Sequence, residues 1–190
     1  MYQIDFNHPI HIYFVGIGGI SMSGLAEILR EKGFQVSGSD RQTSPLTKSL
    51  EEKGITVFYG QRAANITPDI DCAVFTSAIH PDNPEYIAIH QLGIPCLSRA
   101  ELLGQMMKNY ETPIAVSGTH GKTTTTSMVT TALELAGRDP SAVIGGKLPL
   151  INGYGKAGKG DDIVIEACEF AETFLKPVSY THLTLPTILR

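Results

Sequence analysis

Two glycine-rich loops hold the residues of this sequence best suited to chemistry. The first, Gly16-Ile17-Gly18-Gly19-Ile20-Ser21-Met22-Ser23-Gly24, separates an apolar run of strand length from a stretch of helical period. Glycines there let the backbone turn sharply and approach a phosphate with no Cβ in the way. The helix that follows offers unpaired N–H groups and the positive end of its dipole. Gly16 and Gly18 fill two positions of the pattern G-x-G-x-x-G, Ser21 stands at the third, and Gly19 and Gly24 are additional. Asp40 closes the next strand, where an acid can reach a ribose hydroxyl. The loop predicts a site for a nucleotide diphosphate and does not separate NAD from a UDP-sugar. Its plainer alternative is a tight strand–helix turn with no ligand.

The second loop, Ser117-Gly118-Thr119-His120-Gly121-Lys122-Thr123-Thr124, also follows a strand and opens a helix. Gly118 and Gly121 free backbone N–H groups to face phosphate oxygens, Lys122 supplies a cation, and the Thr123 hydroxyl is a natural Mg²⁺ ligand. The general pattern G-x-x-x-x-G-K-[ST] asks for glycine at position 116, where this chain has Val116, so the loop is a shortened variant of an ATP-binding loop. His120 reads as a packing or backbone-orienting residue rather than a catalyst, and Thr125 and Thr126 as capping or packing the first helical turn. Further on, Ile163-Val164-Ile165-Glu166-Ala167-Cys168-Glu169 sets Glu166 at the end of a buried strand, the edge that faces ligand in an open α/β sheet. From there a carboxylate can hold the metal of Mg-ATP. Glu169 is a weaker candidate, and Cys168 reads as a small core residue.

Strands and helices must alternate to present these loops. The pattern predicts strands over 10–15, 34–39, 55–59, 73–76 and 94–97, with helices near 25–32, 46–53, 84–91 and 99–107. The polar stretch Lys108-Asn109-Tyr110-Glu111-Thr112 before Pro113 predicts a boundary, after which the alternation restarts with a strand over 114–117, a helix over 122–136 and a strand over 162–167. The glycine-rich segment Gly145–Gly160 reads as a long flexible connection rather than an element. The fold class expected is α/β: a Rossmann-like doubly wound parallel sheet over 1–108, then a P-loop-type α/β ATP-binding unit over 109–177 that looks cut short. A shortened second sheet would leave apolar faces uncovered around Ile114–Val116 and Ile163–Ile165. The segment 178–190 fits neither period and reads as a non-native tail joined at about Lys176-Pro177.

Bulk properties narrow the function classes. Of 190 residues, 42% are hydrophobic and 18% charged, enough to bury a core. Net charge is −4 with no basic block, which argues against nucleic acid as a partner. Three scattered cysteines supply neither a disulfide framework nor a zinc pattern. The N-terminus lacks a signal-peptide pattern and no apolar run reaches membrane-spanning length, so a cytoplasmic protein with no membrane insertion is expected.

Taken in order, the first loop, Thr76-Ser77-Ala78-Ile79, Asn83-Pro84-Glu85, Ser98-Arg99-Ala100-Glu101, the second loop and Glu166-Ala167-Cys168-Glu169 resemble the Mur ligase family over roughly residues 10–177. The resemblance implies three units, which bind the UDP of the substrate, ATP, and an incoming amino acid, the last lying beyond this sequence. It implies that Gly16, Gly18, Gly19, Ser21, Met22 and Ser23 bind the UDP pyrophosphate, and that Asp40 and Ser77 line the nucleotide site. It further implies that Gly118, Thr119, His120, Gly121, Lys122, Thr123 and Thr124 bind ATP, with Thr123 and Glu166 at Mg²⁺ and Lys122 and Glu166 in the catalytic machinery. The family's later metal-site histidine has no counterpart, and His182 stands in the wrong context to supply it.

The chemistry so implied belongs to peptidoglycan precursor synthesis. The lactyl carboxylate of UDP-N-acetylmuramate attacks the γ-phosphate of ATP, and L-alanine displaces phosphate from the resulting acyl phosphate. The chain by itself is expected to be inactive, since the residues that would hold L-alanine lie in the third unit. Three other readings fit the sequence: a UDP-sugar-binding module alone, an NAD-linked oxidoreductase, against which the Gly-Lys-Thr loop argues, and a related ligase that attaches a preformed peptide to the same sugar.

Overall fold

The computed structural model describes residues 2–167. The readings made for Cys168, Glu169, Lys176, Pro177, His182 and the 178–190 tail lie outside the described residues. Fourteen regular elements run along the chain: β1 (His11–Val15), α1 (Ile20–Glu31), β2 (Gln35–Asp40), α2 (Pro45–Glu52), β3 (Thr56–Tyr59), β4 (Cys72–Phe75), α3 (Pro84–Gln91), β5 (Cys96–Ser98), α4 (Arg99–Met107), β6 (Thr112–Val116), α5 (Lys122–Leu135), β7 (Ser141–Leu148), β8 (Gly153–Lys156) and β9 (Asp162–Glu166), with short 3₁₀ turns at Ala63–Asn65 and Pro149–Ile151.

The first five strands form a fully parallel sheet in the order β3-β2-β1-β4-β5. Order reverses between β1 and β4, so a crevice opens at their C-terminal ends, where α/β sheets receive ligands. Every residue of β1 is buried, as expected of a central parallel strand covered on both faces. The helices begin where local chemistry satisfies their free N–H groups. Ser44 and Thr47 form a reciprocal capping pair with Pro45 at the first helical position of α2. The Asn83 side chain accepts from the Glu85 and Tyr86 N–H groups at the start of α3, and Ser98 and Glu101 form a second reciprocal pair on α4.

The remaining strands form a mixed sheet in the order β6-β9-β7-β8, in which only β8 runs antiparallel. Here the reading of Gly145–Gly160 as a flexible connection is corrected: this segment holds the end of β7 and all of β8, folded as a hairpin. Its glycines serve close approach rather than freedom. A Cβ on Gly155 would lie 2.5 Å from Gly24 Cα, because α1 crosses directly over β8. Period alone hides such a strand, since glycine contributes nothing to an apolar alternation.

The same crossing alters the expected separation into independent units. Met22, Leu25, Ile28 and Leu29 of α1 share one buried cluster with Val143, Ile163 and Ile165 of the second sheet. Ile163, Val164 and Ile165 are fully buried, so the expected uncovered face on β9 does not exist among the described residues, and Ile163 and Ile165 join the cluster that holds α1. Ile114 and Ala115 of β6 stay half-buried. The polar boundary is itself anchored. Tyr110 is buried, its hydroxyl donates to Ser141 Oγ at 2.8 Å, and Lys32 Nζ sits 4.5 Å from its ring centroid.

Arg138, after α5, donates from Nε and Nη2 to the two carboxylate oxygens of buried Asp162 at 2.6 and 2.8 Å, fixing the start of β9. These bonds hold the Asp162 carboxyl below its ordinary value. A depressed carboxyl adds stability above its unfolded value, near 3.9, that is lost as pH falls through the folded one. The urea midpoint of Asp162→Asn is therefore expected well below that of the parent at pH 6–7, with the gap closing below about pH 4. A gap unchanged by pH would remove the ion pair from the account. On the hairpin, Gly155→Val should lower stability by about 1–3 kcal/mol through forced displacement of α1. Gly153→Ala, whose Cβ meets nothing nearer than 3.4 Å, should stay within about 1 kcal/mol of the parent. Equal losses in both variants would deny the crossing its role.

Candidate functional site

Two loops open at the C-terminal ends of parallel strands, one in each sheet. In the first, Gly16 takes a left-handed conformation (φ 86°) that turns the chain out of β1, and the N–H groups of Gly16 and Ile17 both donate to the Ser39 carbonyl at 2.9 Å. The Ile17 side chain is buried beneath the loop. Gly18 donates its N–H to Asp40 Oδ2 at 2.8 Å, and a Cβ there would lie 2.6 Å from the same oxygen, so only glycine lets the loop meet β2. Asp40 is thus committed at both oxygens, Oδ1 accepting from the Arg41 N–H at 2.7 Å, and it braces the loop from the strand end.

The first bond within α1 runs from Ser23 N–H to the Gly19 carbonyl. The N–H groups of Ile20, Ser21 and Met22 precede it and point out of the helix start. Met22 and Ser23 are buried; Met22 packs in the core and Ser23 Oγ donates to the Ile20 carbonyl. Ser23 thus has both its N–H and its hydroxyl committed at the helix start, while the Met22 N–H stays ahead of the first helical bond. Ser77 is exposed just beyond β4, on the strand that neighbours β1. Gly16, Gly18, Gly19, Ser21, Asp40 and Ser77 are brought to one edge.

Beneath this edge lies a carboxylate whose environment the sequence did not reveal. Glu85, fully buried, accepts from the Tyr13 hydroxyl (2.8 Å) and Asn65 Nδ2 (2.7 Å) on one oxygen and from Ser39 Oγ (2.5 Å) on the other. Burial first, then the adjacent carboxylate, push the Tyr13 hydroxyl far above its ordinary value, so it remains a donor. Ser39 carries this anchorage up to the loop, since its carbonyl is the acceptor for Gly16 and Ile17. The motif Asn83-Pro84-Glu85 was legible as a helix start; the burial of its acid was not.

In the second loop, Gly118 (φ 146°) and Gly121 (φ 78°) adopt backbone conformations that favour glycine. The first bond of α5 runs from Thr125 N–H to the Gly121 carbonyl, which leaves the N–H groups of Lys122, Thr123 and Thr124 ahead of it at the helix start. The Lys122 ammonium folds back to donate to the Gly118 carbonyl. Thr119 and His120 are exposed, which removes packing as the role of His120. Thr126 is buried and its hydroxyl donates to the Lys122 carbonyl, in line with its reading as a first-turn packing residue.

Glu166 stands opposite Val116 on the neighbouring strand and reaches the loop's helix: Thr123 Oγ1 lies 3.0 and 2.9 Å from its two oxygens. Gly145 N–H donates to the same carboxylate at 2.7 Å, and Gly146 lies against Thr123, where a Cβ would be 2.9 Å from Cγ2. These two glycines of β7 complete the site and were missed. The available signal was a Gly-Gly pair next to a buried apolar run, which marks close backbone approach.

Residues 11–111 match the Mur ligase family, catalytic domain. The chain is 58% identical over 175 residues to a protein of Agathobacter rectalis named UDP-N-acetylmuramate–L-alanine ligase, an overlap of 92% of this chain and 38% of that protein. Among solved structures it is similar to UDP-N-acetylmuramate–alanine ligase from Thermotoga maritima (TM-score 0.79, 34% identity, 83% of this chain and 37% of that one). It is equally similar to the UDP-N-acetylmuramate:L-alanyl-γ-D-glutamyl-meso-diaminopimelate ligase from Neisseria meningitides (TM-score 0.79, 34% identity, 86% and 54%). The chain therefore spans little more than a third of the length of the curated relative.

Removing the buried carboxylate would leave the Tyr13, Ser39 and Asn65 donors without their acceptor. Glu85→Ala is accordingly expected to cost about 3 kcal/mol or more in urea unfolding, a large loss for a substitution with no apolar volume at stake. A cost under about 1 kcal/mol would show that the network does not hold this edge.

Proposed function

The chain belongs to the Mur ligase family, and we propose that it forms the UDP-sugar- and ATP-binding part of a ligase that joins L-alanine to the lactyl carboxylate of UDP-N-acetylmuramate. In this reading residues 1–108 form the UDP-substrate unit and 109–177 begin the ATP unit. The observation that supports it most is Glu166 set against Thr123 at the mouth of the Gly-Lys-Thr loop, within hydrogen-bonding distance at 2.9 Å. A sugar-binding module alone has no use for a carboxylate aimed at such a loop.

Two oxygen donors, one hydroxyl and one carboxylate, suit a hard cation. Thr123 Oγ1 and a Glu166 oxygen would hold Mg²⁺, a cation that commonly keeps water and phosphate oxygens as its remaining ligands. When bound, Mg²⁺ neutralises charge on the phosphate oxygens. The N–H groups at the start of α5 and the Lys122 ammonium cradle the terminal phosphates, Lys122 leaving its carbonyl partner to do so. A substrate carboxylate oxygen then bonds to the γ-phosphorus as the bond to the bridging oxygen breaks, giving an acyl phosphate and ADP. The amine of L-alanine bonds to the acyl carbon, phosphate departs with the C–O pair, and the nitrogen loses a proton. The protein's part in the first step is positional and electrostatic.

Gly16, Gly18, Gly19, Ser21 and the backbone N–H of Met22 form the diphosphate cradle in this reading, with Ser77 beside it and Asp40 bracing it. The name of the 58%-identical relative favours L-alanine over a preformed peptide as the incoming group. Among the described residues no helix is long and apolar enough to cross a membrane.

Calorimetric titration of the 190-residue chain tests the reading. UDP-N-acetylmuramate and Mg-ATP are each expected to bind, NAD is not, and Lys122→Ala should weaken ATP at least tenfold while leaving the UDP-sugar isotherm unchanged. A strong NAD response without one to the UDP-sugar would overturn the assignment, and equal loss of both ligands in Lys122→Ala would deny separate sites.

A further inference from the structure

The β7–β8 hairpin carries at its tip a residue whose chemistry the proposed reaction does not use. Of the five asparagines in the chain, Asn152 alone is followed by glycine. It is exposed, its N–H closes the Pro149–Ile151 turn by donating to the Pro149 carbonyl at 3.0 Å, and β8 starts at the next residue. Asparagine is a thermally labile residue, because the nitrogen of the residue that follows can attack its side-chain amide carbon. Glycine leaves that nitrogen open, since it has no Cβ to crowd the approach. By composition the pair can modify itself.

The backbone holds it off. Asn152 lies in the left-handed region, φ 48° and ψ 35°, which asparagine tolerates better than most residues. Attack needs Cγ and the Gly153 nitrogen on the same side of the Cα–C bond. At this ψ the tetrahedral carbon of an L-residue sets Cβ nearly opposite that nitrogen, so the ring cannot close. The hairpin keeps ψ there: Gly153 pairs with Leu148, and Gly155, two residues on, packs against Gly24 of α1. We propose that Asn152 is a modification site shielded by the folded hairpin and released when the tip opens. The Gly153 nitrogen then bonds to Asn152 Cγ, and ammonia leaves with the C–N pair and the proton that the nitrogen gives up. Water opens the resulting succinimide at either carbonyl, giving aspartate or isoaspartate. Isoaspartate routes the main chain through an extra methylene. Either product adds a negative charge to the hairpin whose β7 strand holds Glu166 through the Gly145 N–H.

The test incubates the intact chain at mildly alkaline pH and follows the tryptic peptide 148–156 by mass and retention, Asn152 being its only side-chain amide. The folded chain should convert at least about tenfold more slowly than the same chain in unfolding urea, a ratio set by the free energy of local opening. The rate should climb at urea concentrations below the global midpoint, and isoaspartate should exceed aspartate. Gly153→Ala, which is expected to fold like the parent, should lose most of the conversion even in unfolding urea, because its Cβ crowds the attacking nitrogen. Equal rates in the folded and unfolded chains would overturn the shielding. A rate that rises only with global unfolding would overturn opening at the tip, and no conversion in either condition would remove the site.

Discussion

Glycine meets glycine where α1 crosses the β7–β8 hairpin, and much else in the molecule follows from that contact. Gly24 and Gly155 approach so closely that neither backbone leaves space for a side chain on Gly155. The approach lets one helix close the core of the first sheet and cover the second. Its start carries the first glycine loop, while β7 continues from Val143, against Gly24, to Gly145, which holds Glu166. Two sites that look separate along the chain are thus tied through one helix and one strand. In the proposed reaction, which would bring a sugar carboxylate to a nucleotide's terminal phosphate, such a tie would serve positioning.

The first site is held from below as well. Polar groups at a sheet edge need partners, and Glu85 supplies acceptors to three elements at once through Tyr13, Ser39 and Asn65. A buried carboxylate is costly unless its oxygens are filled; here both are, and the network ends on the carbonyl that fixes Gly16 and Ile17. The second site is fixed differently, by a carboxylate bridging neighbouring strands to a helix start. In both, the groups able to face a ligand are mostly backbone N–H, which explains why the side chains of Met22 and Ser23 are free to serve the core.

The alternation of strands and helices through Met107 was legible because apolar runs such as 10–15 and 73–76 alternate with stretches of helical period. Both loops were legible for a similar reason, since glycine at a strand–helix junction has few other uses. Three things were not. The β7–β8 hairpin was hidden because close-approach glycines erase the period that marks a strand. The sharing of α1 between sheets was hidden because Val143, Ile163 and Ile165 lie more than a hundred residues beyond the helix whose cluster they join, and period reports only that a face is buried, not against what. The depth of Glu85 was hidden because Asn83-Pro84-Glu85 is equally good grammar for an exposed helix start.

Through α1 the two sites form one mechanical unit. Hydrogen exchange on the chain, with and without UDP, addresses it directly, because amide protection reports the opening of cooperative segments. UDP held at the start of α1 should slow exchange in α1 and, together with it, in β7 and β8, although no part of that hairpin belongs to the first sheet. Protection confined to the first loop and its sheet, with the hairpin exchanging as before, would contradict the account.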